Sequence, residues 1–259
     1  MLFGITEQEI MVFILVLARV GTAVALFPIF SSMNIPVLAK VGTSVFLSLL
    51  IVPLLTSSVV PTVANTNAIL LSIGKEVAVG LILGFLSSFL FATIELAGQL
   101  IAIQMGFAMA NVLDPLTQNQ STVISQFYTL LAIMIFMAMD GHHFLLSGLY
   151  QSFSAAPLAS ARFTAELSKV NMKMMSSLFI SASKIGAPVI VALLITSIAL
   201  GLVSRAVPQM NVFFVGIPLN IGLGLAVIAY SLPLFSVVFR EMFVQFKTDF
   251  LTVVRVLAP

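Results

Sequence analysis

Six apolar runs, each near the length of about 20 residues that a helix needs to cross a bilayer, leave this chain little choice of architecture. They lie at about Ile10–Phe30, Leu38–Leu55, Ile69–Leu96, Ile124–Met139, Met174–Val203 and Val212–Leu234. Between them stand SSMNIP, TSSVVPTVANTN, NVLDPLTQNQST, DGHH and AAPLASA, each rich in residues that break or cap helices. The pattern predicts an all-α, polytopic membrane protein built of helical hairpins, with no repeat of solenoid period. Hydrophobic residues make up 60% of the chain and charged residues 8%, against about half and a quarter in soluble domains. The surplus must face lipid or other subunits. A formal charge of +2 and the absence of a basic cluster exclude nucleic acid as a partner. With no cysteine, disulfides, thiolate metal sites and thiol nucleophiles are excluded together. The opening MLFGITEQEI has no positive n-region and no small-residue cleavage site, so the first run is expected to be retained.

Two segments read as amphipathic helices. In Arg162–Leu178 the positions Phe163, Leu167, Val170, Met174 and Leu178 follow helical spacing, and Arg162 and Glu166 stand four apart, as an ion pair would require. In the tail, Phe239, Met242, Phe243, Phe246, Phe250, Val253, Val254 and Leu257 share one face, which predicts a helix lying on the membrane surface or docking on a neighbouring subunit. Gly80 and Gly84 form a G-x-x-x-G step that lets helices approach closely, and Gly222 and Gly224 thin a later helix. Trp is absent and Tyr occurs three times, so the aromatic belts of two lipid interfaces are missing. Charges within or beside apolar runs are expected to meet a cavity or a partner. Arg19, Glu95 and Lys184 are the candidates for buried charge contacts, whereas Lys75 and Glu76 fit an interfacial position equally well.

Enzymatic chemistry is hard to assemble from these residues. His142 and His143 are the only histidines and are adjacent. On a helix they point about 100° apart and would not chelate together. Asp140 before Gly141 reads as a cap or turn. No serine sits in a G-x-S-x-G or S-x-x-K motif, and no phosphate loop is present. The expectation is no enzyme, no cofactor and no metal.

Three stretches carry a more specific signal. LGLVSRAVPQMNVFFVGIPLNIGLGL, from Leu200 to Leu225, places Arg205, Pro208, Gln209, Asn211 and Pro218 at a polar tip between apolar runs. The two prolines should bend the chain there. ARVGTAVALFPIFSSMNIPVLAKVG, from Ala18 to Gly42, sets an arginine in an apolar helix before two spaced prolines. Gly74 to Pro115 combines a Lys-Glu pair, a Gly-rich helix, AGQ and a closing Asp-Pro. It passes into GFAMANVLDP, where bulky flexible side chains alternate with small ones. Such a segment can fill an irregular space and repack when that space opens.

Together these stretches resemble the FliR family, membrane subunits of the type III export gate of flagella and, in related form, of virulence injectisomes. The resemblance implies a FliP-like part at about residues 1–156 and a FliQ-like hairpin with an amphipathic tail at 157–259. It implies a plug across the export channel at Met105, Gly106, Phe107, Met109, Val112 and Leu113, with Met109 and Val112 standing where other members carry aromatics. The implied partners are FliP, FliQ, FlhB and unfolded exported flagellar proteins, in the bacterial inner membrane at the flagellar basal body. It further implies a gate lifted largely out of the bilayer plane, with the Arg205 tip facing the cytoplasmic entrance. The distribution of Lys and Arg instead puts Arg162, Lys169 and Lys173 on the cytoplasmic side, together with the tail bearing Arg240, Lys247 and Arg255; the tail is the placement expected here. A small-solute secondary transporter is the alternative from another class, since broken helices and buried charges suit both.

Overall fold

The computed structural model describes residues 7–28, 30, 35–55, 66–107, 122–207 and 211–259. Among these the regular structure is helical throughout: α1 (Glu7–Leu26), α2 (Val37–Ile51) with a 3-10 turn at Val52–Leu54, α3 (Thr66–Met105), α4 (Val123–Ala138), α5 (Gly141–Ala155), α6 (Ala165–Ala206) and α7 (Val212–Val256). Five helices are long and apolar enough to cross a membrane, or up to six spans if α4 and α5, bent by 68° at their junction, count as one. The all-α, polytopic expectation is met.

The helices are longer than their apolar runs. α3, α6 and α7 hold 40, 42 and 45 residues. At about 1.5 Å per residue each runs roughly 60 Å or more, about twice the hydrocarbon thickness of a bilayer. α3 continues past Leu96 because Glu95, Gln99 and Gln104 are good helix formers. The proposed junction helix and the tail are likewise the first turns of α6 and the last turns of α7 rather than separate elements. α7 runs on through Pro218 and Pro233, and α6 through Pro188. Pro218 therefore lies within a helix and does not bound the hairpin turn. Arg162 precedes α6, and its backbone N–H donates to Leu257 O at 3.3 Å. It is not part of the helical repeat that pairing with Glu166 would need.

The chain forms two compact units, and neither is a continuous length of sequence. The first comprises residues 1–89, 140–175 and 245–259. Its core takes Leu15, Val16, Val20, Ala23 and Val24 from α1, Val79, Leu83 and Leu86 from α3, and Leu149 and Phe153 from α5. Gly80 and Gly84 do what their spacing promised. A Cβ on Gly80 would collide with Thr22 Oγ1 and Arg19 O, and one on Gly84 would stand 2.6 Å from Leu26 Cβ, so α1 and α3 pack backbone to backbone. The tail completes this core: Phe246, Phe250, Val253, Val254 and Leu257 are buried. Phe144 meets Phe250 edge-on at 5.6 Å, and Gly148 leaves room for the Phe250 ring.

The second unit comprises residues 90–139 and 176–244. Aromatic rings tie it together edge to face. Phe136 lies between Phe91 at 5.4 Å and Phe243 at 5.3 Å, and Tyr128 meets Phe235 at 5.1 Å. Each such pair adds about 0.5–1.5 kcal/mol beyond area burial. α4 starts at Thr122, whose side chain accepts from Ser125 N at 3.2 Å. Gly98 lets α3 approach Ser125, where a Cβ would stand 2.8 Å from Ser125 Cβ.

The tail's apolar face is thus covered by this same chain, which corrects the expectation of a face docked on membrane or on another subunit. Its large rings complete a core shared with α1, α3 and α5. Phe250→Ala is expected to cost about 3–5 kcal/mol, seen as a lowered melting temperature of the purified chain in detergent. A face that served only a partner would leave that melting temperature unchanged.

Candidate functional site

The densest polar arrangement lies in the first unit, around Arg19. This side chain is fully buried on α1, facing α3. Its Nε donates to Glu76 Oε2 at 2.6 Å. Nη1 donates to Ser152 O at 2.9 Å and Ser152 Oγ at 3.3 Å, and Nη2 donates to Ala156 O at 3.0 Å. The guanidinium carbon also stands 4.3 Å from the centre of the Phe153 ring. Arg19 therefore caps the C-terminal end of α5, adding a donor to Ser152 O, which also accepts from Ala156 N, and supplying one to Ala156 O just past the helix. The planar fork of arginine is what permits this, since a lysine has neither the number nor the spread of donors.

Glu76 is equally buried. Its second oxygen accepts the backbone N–H of Ala159 at 2.8 Å, and neighbouring Lys75 Nζ donates to Ala159 O at 3.2 Å. Ala159 has φ of 62°, a conformation that costs a non-glycine residue about 1–2 kcal/mol. Two adjacent residues of α3 hold both polar groups of that one strained residue. The network fixes the turn from α5 toward α6.

Sequence reading identified Arg19 as a buried charge and left Glu76 open, although the Lys-Glu pair was visible. It missed the Ser152, Ala156 and Ala159 backbone groups, since main-chain acceptors carry no sequence signature. Two other candidate charges lie nearer the surface of this chain. Lys184 is exposed, and Glu95 is half-buried, accepting from Gln99 Nε2 one turn along its own helix at 3.4 Å. Lys184 stands on an exposed side of α6, and Glu95 is partly covered along α3.

The plug candidates begin at the end of α3. Phe107 N donates to Ala102 O at 3.0 Å and Gly106 N to Ile103 O at 3.1 Å, the paired bonds of a Schellman cap. Gly106 sits at φ +93°, where a side chain would be strained. Met105 is fully buried. Met109, Val112 and Leu113 lie outside the described residues.

At the hairpin tip, Arg205 is exposed in the last turn of α6, where its charge suits the negative end of the helix dipole. Asn211 is exposed, and its carbonyl accepts from Phe214 N at 3.1 Å as α7 begins. Pro208 and Gln209 lie outside the described residues.

Asp140, His142 and His143 do converge, contrary to the sequence expectation. Their potential ligand atoms lie within 4.8 Å of one another, and the imidazole centres are 4.1 Å apart. The 100° separation applies to the Cα–Cβ directions, and the rings lean together beyond it. Asp140 adopts φ of 54°, turning α4 into α5, and its exposed carboxylate stands 3.4 Å from His143 Nδ1. An exposed pair of this kind contributes little energy.

Long apolar helices packed on glycine steps, with a buried arginine-carboxylate node, define the class as a polytopic helical membrane protein. The family described as bacterial export proteins, family 1, matches residues 10–246, and the chain belongs to it. The chain is 34% identical to the flagellar biosynthetic protein FliR of Bacillus subtilis (strain 168) over 89% of its own length and 90% of the relative's. It is 30% identical to FliR of Escherichia coli (strain K12), covering 88% and 85%. With FliR of Aquifex aeolicus (strain VF5) it shares 29% identity, covering 93% of each chain.

The Arg19 node generates a prediction. Arg19→Met or Glu76→Leu alone leaves a buried charge without its partner and should cost about 3–5 kcal/mol. The double variant should be less destabilised than the sum of the singles. The measurement is a double-mutant cycle on detergent-solubilised protein; strict additivity would mean that the two side chains do not interact.

Proposed function

We propose that this chain is a structural channel subunit of the flagellar type III export gate, helping to form and close the pore through which unfolded flagellar proteins leave the cell. Membership of the export family over residues 10–246 is the observation that carries this reading, joined by the FliR relatives. As a member, the chain is a component of the flagellar export apparatus. Nothing supports the small-solute transporter.

The subunit works without catalysis, in the inner membrane at the basal body, assembled with FliP, FliQ and FlhB. Residues 1–156 correspond to FliP and 157–259 to FliQ with a tail. The apolar faces that the chain leaves uncovered support an assembled state. Only 22% of the apolar windows of α6 and α7 and 17% of that of α2 are buried, against 56% for α3. Phe179, Leu194, Ile195, Ile198 and Leu202 lie exposed along α6, ready for lipid or neighbouring helices. The segment from Met105 to Leu113 seals the resting channel, and the Arg205–Asn211 tip serves assembly.

Two expected outcomes test this. Deleting Met109 to Leu113 should let small ions cross the membrane of cells holding assembled gates, read as a fall in membrane potential against cells lacking one partner subunit. An intact ion barrier with normal assembly would place the seal elsewhere. Arg205→Ala and Asn211→Ala should each reduce the recovery of co-purified partner subunits and slow swimming; normal values of both would remove the tip from assembly.

A further inference from the structure

We propose that Asp140, His142 and His143 bind one divalent transition-metal ion of the zinc class at the start of α5. All three residues belong to the first unit. The site is independent of the pore reading above, since it uses neither the plug segment nor the hairpin tip.

One backbone turn brings the three side chains together. Asp140 precedes α5 with φ of 54° and ψ of 32°, and its carbonyl accepts from Phe144 N at 3.1 Å as the helix begins. An aspartate in that place usually gives its carboxylate to the free N–H groups of the first turn. This carboxylate makes no such bond. It turns instead toward the residue three ahead, and its Oδ1 stands 3.4 Å from His143 Nδ1. That separation is about the edge of a tetrahedron of ligands held roughly 2.1 Å from a zinc ion. His142 completes the set, with one potential ligand atom from each of the three residues lying within 4.8 Å of the others. Closing the wider gaps to zinc geometry takes at most about 1.5 Å of side-chain movement. His142 Nδ1 is buried with no hydrogen-bond partner among the described residues, so turning this ring toward an ion breaks no hydrogen bond at that nitrogen.

The donor set selects the ion. Two imidazoles and one carboxylate suit zinc, copper or nickel. Calcium takes about six to eight oxygen ligands and magnesium an octahedron of them, which a single carboxylate does not supply. The positive end of the α5 dipole also opposes a cation held by charge alone. Bonds to nitrogen must therefore carry the affinity. Three protein ligands leave a fourth position for water or an incoming group. A bound ion would tie the Asp140 carboxylate to the first turn of α5 and hold the left-handed residue that precedes it.

The test uses the full chain in detergent, purified with a tag that contains no histidine. His142 and His143 are the only histidines and cysteine is absent, so isotope labelling of histidine reports on this site alone. Titration with micromolar Zn²⁺ should saturate at one ion per chain and shift the ring resonances of both histidines together. Equimolar Mg²⁺ or Ca²⁺ should neither shift them nor displace zinc. Loss of an outer-shell partner already costs a metal site about tenfold in affinity, so His142→Ala and His143→Ala should each weaken binding by at least that factor. Asp140→Asn should weaken it as well while leaving the melting temperature of the metal-free chain unchanged, because asparagine also tolerates the left-handed region.

No uptake of Zn²⁺, a resonance shift confined to one histidine, uptake that all three substitutions leave intact, or displacement by equimolar Mg²⁺ overturns the proposal. Where a variant fails to fold, the wild-type chain decides. Bound Zn²⁺ should slow the modification of both imidazoles by diethyl pyrocarbonate several-fold, and a rate that zinc leaves unchanged overturns the proposal.

Discussion

A guanidinium and a carboxylate buried together 2.6 Å apart constrain this molecule more than any apolar contact does. Hydrophobic faces can slide or rotate against one another at modest cost, but a charge removed from water tolerates few positions. Arg19 must reach Glu76, the Ser152 carbonyl and the Ala156 carbonyl at once. Glu76 must in turn reach the Ala159 amide. These demands fix the rotation of α1 about its axis, the height of α3 beside it, and the end of α5. The glycine step at 80 and 84 provides the closeness this geometry needs, since a Cβ at 80 would strike Arg19's own backbone. Specificity of register, rather than net stability, is the best-supported role of such buried pairs.

Helix existence and the apolar character of each face were legible in the residues, because both depend on local periodicity. The tail's phenylalanine stripe was read correctly as a face, yet its cover was not, since periodicity says that a surface is buried and not by what. Glu76 illustrates the same limit. A carboxylate next to a lysine suits an interface as well as a core until the partner from α1 is known. The end of α3 was hidden for a different reason. Polar residues such as Gln99 and Gln104 interrupt a hydropathy profile without interrupting a helix, and the true stop is the backbone geometry available to Gly106. Lys184 shows a further limit: a charge within an apolar run does not say whether its partner lies in the same chain, and here it stands on an exposed side of α6.

The uncovered surfaces belong to the same account. A 60% hydrophobic chain cannot bury everything it carries, and α2, α6 and α7 leave most of their apolar windows outward. This surplus is apolar area of the kind that lipid or neighbouring helices cover. The chain is only partly self-sufficient, with a well-satisfied polar node inside and unfinished apolar faces outside.

The interleaving of the two units carries a consequence for biosynthesis. Residues 245–259 belong to the same unit as residues 1–89, and Phe250, Val253 and Leu257 are among its most deeply buried side chains. The earliest helices to leave the ribosome therefore have part of their core open until residues 245–259 are translated. A nascent chain that stalls or ends early cannot close this unit at all. A chain truncated before residue 245 leaves the apolar faces of α1 and α3 open, the kind of surface that proteolytic surveillance detects.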